Sequence, residues 1–280
     1  MNNLAMYIQE IRVGPGDVAI FWLGGAGFAF KTAADKIIFI DPYLSDCLDH
    51  FYSWKRLPLS PIPFAPDEVK PDLVLVTHAH DDHLDPETIP ALAATSHAVF
   101  AGPTRCVSAM REWGIPNERI VEINRGESRV LHGVRVTAAF AHHVSPAGGE
   151  TPDAVGYVLD WEGITVYHTG DTLYHSDLRN VQALQPQIIL ACINGQYGNM
   201  SAEEAAQLTD EVGAVVAIPM HWGLVAENTV DPARFVAALG RAGSRARPIV
   251  LAPGEFYVHR GRAGNRQGKK DNDQGPRGDA

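Results

Sequence analysis

No stretch of this sequence approaches the apolar length needed to cross a bilayer. The opening residues, Met1-Asn2-Asn3-Leu4-Ala5-Met6, lack the basic-then-apolar pattern of a secretory leader. A membrane protein is therefore not expected. Basic residues are in the minority, 23 Lys and Arg against 33 Asp and Glu, giving a formal charge of -10. Binding to nucleic acid rewards clustered cations, so nucleic acid is an unfavourable partner. Cysteine is scarce: Cys47, Cys106 and Cys192 are odd in number and widely spaced. No disulfide framework is expected, and a reducing cytoplasm is the default compartment. A Gly-x-Ser-x-Gly nucleophile elbow is missing, which removes one common route to ester hydrolysis. Gly24, Gly25 and Gly27 follow a strand but precede another strand, so they do not form a dinucleotide fingerprint.

What is present is ordinary globular material, 45% hydrophobic and 20% charged, in a chain long enough to bury a sizeable core. Residues 1–260 read as a single domain. Residues 261–280 are rich in Gly, Lys, Arg and Asp without apolar periodicity and read as a disordered tail. Strands are expected at Val18–Leu23, Phe28–Phe30 and Ile37–Ile40, with strands and helices alternating from Leu73 onward. Helices are expected from Pro86 with Asp85 as cap, over Pro103–Trp113, Asp177–Leu184 and Asp231–Leu239, and at Ser201–Glu211 behind a Ser201/Glu204 capping box. Pro248–Leu251 and Phe256–His259 read as the last strands. Between the strand at Ile37–Ile40 and Leu73 lies a long connection, 43–70, interrupted by Pro58, Pro61, Pro63 and Pro66. Loops of that length are usually functional or disordered. This one is expected to be a flap, with Trp54, Lys55 and Arg56 meeting substrate.

The chemistry concentrates in Thr77-His78-Ala79-His80-Asp81-Asp82-His83, placed after the buried-strand run Leu73–Val76. In α/β folds, ligand sites gather at such strand ends. His78 and His80, two apart, project the same way from extended chain and can grip one cation. Asp82 and His83 lie past the bend and can reach a second. Imidazole with carboxylate suits zinc, and also manganese or iron.

This motif resembles the signature of the metallo-β-lactamase superfamily of binuclear metal hydrolases. With Asp41-Pro42-Tyr43, Gly102-Pro103, Tyr167-His168-Thr169-Gly170-Asp171 and Ile218-Pro219-Met220-His221, the chain resembles most its L-ascorbate-6-phosphate lactonase-like branch. The resemblance implies an α/β (α+β) fold, a four-layer αβ/βα sandwich, which periodicity alone does not yield. It also extends the ligand set. By strand alternation only one of His142 and His143 faces the site, and the resemblance favours His143, where relatives in the branch carry a carboxylate. Asp171 is expected to bridge two cations, because a carboxylate has two oxygens and an imidazole nitrogen has one lone pair. His221 should complete the second metal beside Asp82 and His83. Asp41 is either a turn residue or the carboxylate that orients a ligand histidine, His168 either a support of the site or structural, and His175 either a substrate contact or a surface residue at a helix end.

The expected cofactors are two divalent ions, zinc or manganese with iron admitted. They would activate a shared water, with Asp82 and Asp171 as the catalytic carboxylates. The expected reaction is hydrolysis of a small, anionic ester or lactone. A phosphodiesterase and a non-catalytic metal-binding protein are the alternatives. The Lys55-Arg56 pair is the reason for expecting an anion, since an acidic protein repels one at long range. A homo-oligomer stays open.

Overall fold

Alternation along the first strand sorts its side chains onto two faces. In β1 (Asp17–Gly24), Val18, Ile20 and Trp22 join one core, while Ala19, Phe21 and Leu23 join another. The computed structural model describes residues 4–144 and 151–261. The expected tail lies outside the described residues, except for Gly261.

β1 is followed by β2 (Gly27–Thr32), β3 (Ile37–Ile40), β4 (Leu73–Leu75), β5 (Val99–Gly102) and β6 (Ile120–Glu122). The second half supplies β7 (Ser128–Leu131), β8 (Val134–Phe140), β9 (Val155–Trp161), β10 (Ile164–His168), β11 (Ile188–Cys192), β12 (Val216–Met220), β13 (Arg247–Pro248) and β14 (Phe256–Arg260). One seven-stranded sheet has the order β14-β1-β2-β3-β4-β5-β6, and the other β13-β12-β11-β10-β9-β8-β7. In the first, β14 through β3 run antiparallel, and β3 through β6 parallel. The second mirrors this, antiparallel over β7–β10 and parallel over β10–β13.

Phe28, Phe30 and Ile38 of the first sheet share a core with Tyr157, Leu159 and Val166 of the second, so the sheets face each other. Helices α1 (Leu4–Glu10), α3 (Thr88–Thr95) and α4 (Thr104–Glu112) cover the outer face of the first sheet through Ile8, Ile89, Leu92 and Met110. Helices α5 (Ala202–Val212) and α6 (Ala233–Ala242) cover the second through Leu208, Phe235 and Leu239. The result is the four-layer αβ/βα sandwich. The capping box forms at the start of α5: Ser201 Oγ accepts from Glu204 N–H and Glu204 from Ser201 N–H.

Some local expectations change. The helix expected over Asp177–Leu184 is a 3₁₀ helix, Ser176–Leu184; its buried residues Leu178 and Val181 lie three apart, which suits three residues per turn. The strand expected at Pro248–Leu251 pairs only as Arg247–Pro248, on the sheet edge where a proline is tolerated. Asp85 does act at a helix start, but before α3, where Oδ1 accepts from the N–H of Glu87 and Thr88. Segment 43–70 contains α2 (Cys47–Tyr52) and a small apolar cluster of its own, Tyr43, Cys47 and Leu48 against Leu224 and Val225. Among the described residues no helix is long and apolar enough to cross a membrane.

Candidate metal centre

Loops at the carboxyl ends of strands converge from both sheets. Asp41 follows β3, residues 77–83 follow β4, and His143 follows β8. Asp171 follows β10, residues 193–200 follow β11, and His221 follows β12.

The ring nitrogens of His78, His80 and His143 meet: His80 Nδ1 lies 3.0 Å from His78 Nε2 and 3.1 Å from His143 Nε2. Hydrogen bonds on the far sides fix the tautomers. Thr77 Oγ1 donates its only proton to Asp41 Oδ2, so it accepts from His78 Nδ1–H. His143 Nδ1–H donates to Gly198 O at 3.1 Å. Two Nε2 lone pairs therefore point at one spot, which is the arrangement a cation needs. Of the adjacent histidines, His143 enters the group, while His142 turns its ring edge to His175, 5.8 Å away.

The second half of the centre is held by a carboxylate behind it. Asp41 is fully buried; its Oδ1 accepts from Thr77 N–H, and its Oδ2 from Thr77 Oγ1–H and from His83 Nδ1–H at 2.7 Å. His83 Nε2 is thereby aimed forward, 3.4 Å from Asp171 Oδ1 and 3.7 Å from Asp82 Oδ2. His221 Nε2 lies 3.2 Å from Asp171 Oδ2 and 3.4 Å from Asp82 Oδ2. Yet His83 Nε2, Asp171 Oδ1 and His221 Nε2 are buried without a hydrogen bond among the described residues. Orphaned polar atoms of this kind are costly, and a divalent cation would satisfy them together. Among the described residues, three groups of side chains could each hold an ion: His78, His80 and His143; His78, His83 and Asp171; Asp82, His83 and His221. The residues fit the metals that imidazole and carboxylate prefer.

His168 lies behind the turn into Asp171. Its Nδ1 accepts from Gly170 N–H and its Nε2–H donates to Ala26 O, so it braces that turn against the first sheet. Gly170 itself has φ +61°, and a Cβ there would lie 2.6 Å from Val155 O.

The charge states of the two halves differ. Burial holds His78, His80 and His143 below the usual imidazole range, with neighbouring histidines adding to the effect at His78. Burial opposes charge on His83 and His221 too, but there the carboxylates win. Asp171, Asp82 and Asp41 hold His83 well above its ordinary value, and Asp171 and Asp82 raise His221 to about 9. Burial would raise Asp82 and Asp171, yet the same two imidazoles hold both carboxyls low. In the ion-free protein His221 thus contributes stability that is complete below pH 6.5 and is lost as pH climbs through about 9. An ion entering between Asp82, His83 and His221 must displace protons. Affinity there is expected to strengthen as pH rises toward about 9, whereas affinity at His78, His80 and His143, which burial keeps neutral, depends less on pH over that range. Calorimetric zinc titrations at several pH values check this, and equal pH slopes for the two sites would contradict it.

A cavity of about 400 Å³ opens beside the centre. His80, Asp82, His143 and Asp171 line its base, and Trp54 with Tyr52 and Leu48 forms one wall. Lys55 and Arg56 are not among the described lining residues of this cavity, and Arg56, expected on a flap over the site, is engaged elsewhere. Arg56 donates from Nε to Asp46 Oδ1 at 3.1 Å and from Nη2 to Ser45 O at 2.6 Å, and it covers the Tyr43 ring. Its charge is used to fix the chain. Lys55 is exposed. His175 is likewise absent from the lining; it caps the 3₁₀ helix, accepting from Asp177 N–H, and packs on Phe140.

Sequence reasoning missed the residues after β11. Asn199 Nδ2–H donates to Asp171 Oδ2 at 2.8 Å, Gly198 supplies the carbonyl under His143, and Tyr197 lines the cavity. Gly198 has φ +83°, and a Cβ would sit 2.6 Å from Val144 O, so only glycine fits. Asn194 donates to Asn228, another lining residue. The available signal was Asn194-Gly195 and Gly198-Asn199 at the same end of a parallel strand as the histidines.

Paired mixed sheets with His and Asp gathered at their strand ends define the metallo-β-lactamase class, and residues 36–222 match the beta-lactamase superfamily domain. Within it, the chain belongs to the UPF0173 metal-dependent hydrolase family. It is 33% identical to the Methanopyrus kandleri member over 247 residues, 85% of this chain and 98% of that protein. It is 31% identical to the Thermoplasma acidophilum member over 230 residues, 81% of this chain and 93% of that one. Among solved structures, Igni18, a metallo hydrolase from Ignicoccus hospitalis, superposes with a TM-score of 0.71 at 25% identity, covering 87% of this chain and 98% of its own.

Proposed function

We propose that this metal-dependent hydrolase cleaves a small carboxylic ester or lactone with two divalent ions, zinc or manganese, as the resemblance to the lactonase-like branch suggests. The observation that carries the reading is the set of orphaned atoms on His83, Asp171 and His221, set beside three converging imidazoles. In this reading His78, His80 and His143 hold one ion, and Asp82, His83 and His221 the other. Asp171 would serve both. When bound, the ions supply Lewis acidity and lower the pKa of water toward neutrality.

The chain's own groups do the rest. Asp82 lines the cavity and is placed to accept the proton from the attacking water. The water oxygen bonds to the acyl carbon, the acyl C–O bond breaks, and the departing oxygen takes the proton. Asn199 and Asp41 keep Asp171 and His83 in position throughout. A cytoplasmic setting belongs to the reading, supported by three free, buried cysteines.

Metal analysis and a screen of esters, lactones and phosphodiesters on one preparation test it. The expected result is two ions per chain and ester or lactone turnover that a chelator abolishes and zinc or manganese restores. Turnover of phosphodiesters alone would move the activity to phosphorus chemistry. Loaded protein inert toward all three classes would overturn the reading.

A further inference from the structure

The cavity that His80 and His143 line also carries aromatic side chains. Tyr52 and Trp54 have ring centroids 6.2 Å apart, and Trp54 and Tyr197 5.4 Å apart. The three rings make a continuous apolar face beside the reacting centre. Tyr197 reaches it from backbone with φ 51°, a left-handed conformation that a bulky residue keeps only where its surroundings hold it.

Away from the ion-binding groups, Asp81 and Asn228 are the acidic and amide side chains among the described lining residues. Asn194 Nδ2–H donates to Asn228 Oδ1 at 2.6 Å. The carbonyl end of Asn228 is thus occupied, which leaves its NH₂ as the donor free for the cavity it lines.

The charge on the cavity away from the ion-binding groups is negative. Asp81 lines it, accepts from Tyr52 Oη–H at 2.6 Å, and has no cationic partner among the described residues. No lysine or arginine is among the described lining residues, because Arg56 is spent on Asp46 and Ser45. A carboxylate or phosphate placed beside Asp81 would meet no lysine or arginine among the described lining residues.

We propose that this cavity selects an uncharged ester or lactone. Its flat apolar portion packs on Tyr52, Trp54 and Tyr197, and one of its oxygens accepts from the Asn228 amide. The inference rests on the ester-hydrolase reading and names its substrate class.

The test compares matched neutral and anionic compounds on the zinc-loaded protein. Turnover uses phenyl acetate and 4-acetoxybenzoate, and calorimetric binding uses the amide analogues acetanilide and 4-acetamidobenzoate. The neutral member is expected to be favoured by about tenfold or more in both measurements. Trp54→Ala should weaken acetanilide binding and raise KM for phenyl acetate by about tenfold with little change in kcat. Trp54→Phe should recover part of that loss, which a merely unfolded variant would not. Asp81→Asn should narrow the neutral-to-anionic gap by about threefold or more. Equal or tighter binding of the anionic analogue, no binding of either, or an unchanged affinity in Trp54→Ala would overturn the proposal. Acetanilide binding with the expected preference but no ester turnover would sink the ester-hydrolase reading and leave the selection for uncharged ligands standing.

Discussion

Asp171→Asn is expected to lower kcat/KM by on the order of 10³-fold, the scale seen when one charge-stabilising group is removed from a transition state. The amide keeps the shape of the carboxylate, and its oxygen can still accept from Asn199. Its NH₂ would then take the Oδ1 position facing His83, whose Nε2 is buried without a partner among the described residues. That group donates a hydrogen bond and cannot bind a cation. The fold should therefore survive while the link between the two halves of the centre is lost. Asp82→Asn is expected to act in the same direction, since Asp82 faces the same two imidazoles. Steady-state kinetics together with metal content per chain decide the matter. Full activity with one ion bound would rule out the two-ion mechanism.

Asp41→Asn separates two roles for a residue whose backbone is left-handed, with φ 45°. Asparagine is at home in that conformation. If Asp41 served only the turn before Pro42, the change would be silent. The structure gives it three buried donors instead: the Thr77 amide, the Thr77 hydroxyl and His83 Nδ1–H. An amide cannot accept all three with the strength of a carboxylate. Ion affinity at the Asp82–His83–His221 group is expected to fall by about 10- to 100-fold. Stability of the ion-free protein should drop by roughly 1–3 kcal/mol, the cost of leaving a buried donor unpaired. Denaturant unfolding in chelator and zinc titration of the folded protein measure the two effects separately.

The parts that were legible in the sequence are those in which one residue type is enough to carry the signal. The β-branched runs of β3, β4, β11 and β12 mark strands buried on both faces, and the histidines and aspartates at their ends announce themselves by type. The stacking of the two sheets came from resemblance, because period-two alternation says which side chains share a face and not which sheet that face meets. Short helices such as α2 have too few turns to show a period. The amides were invisible for a different reason. Asn194, Asn199 and Asn228 neither titrate nor form a motif, and their value lies wholly in what folding places beside them. Arg56 misled in the opposite sense. Adjacent charges looked like a substrate contact, but position 46, ten residues away, held the carboxylate that captures Arg56.

The segment after β11 places constraints on how this enzyme can change. Residues 194–199 simultaneously support His143 through the Gly198 carbonyl, hold Asp171 through Asn199, contribute Tyr197 to the cavity wall and orient Asn228 through Asn194. A substitution that reshapes the wall at position 197 therefore also shifts the groups that keep the reactive centre in register. Trp54 and Tyr52 reach the same wall from a different part of the chain, with Trp54 meeting residues 194–199 at the Tyr197 ring. Divergence toward new substrates, by descent or by design, has an open route through positions 52 and 54 and a closed one through 197.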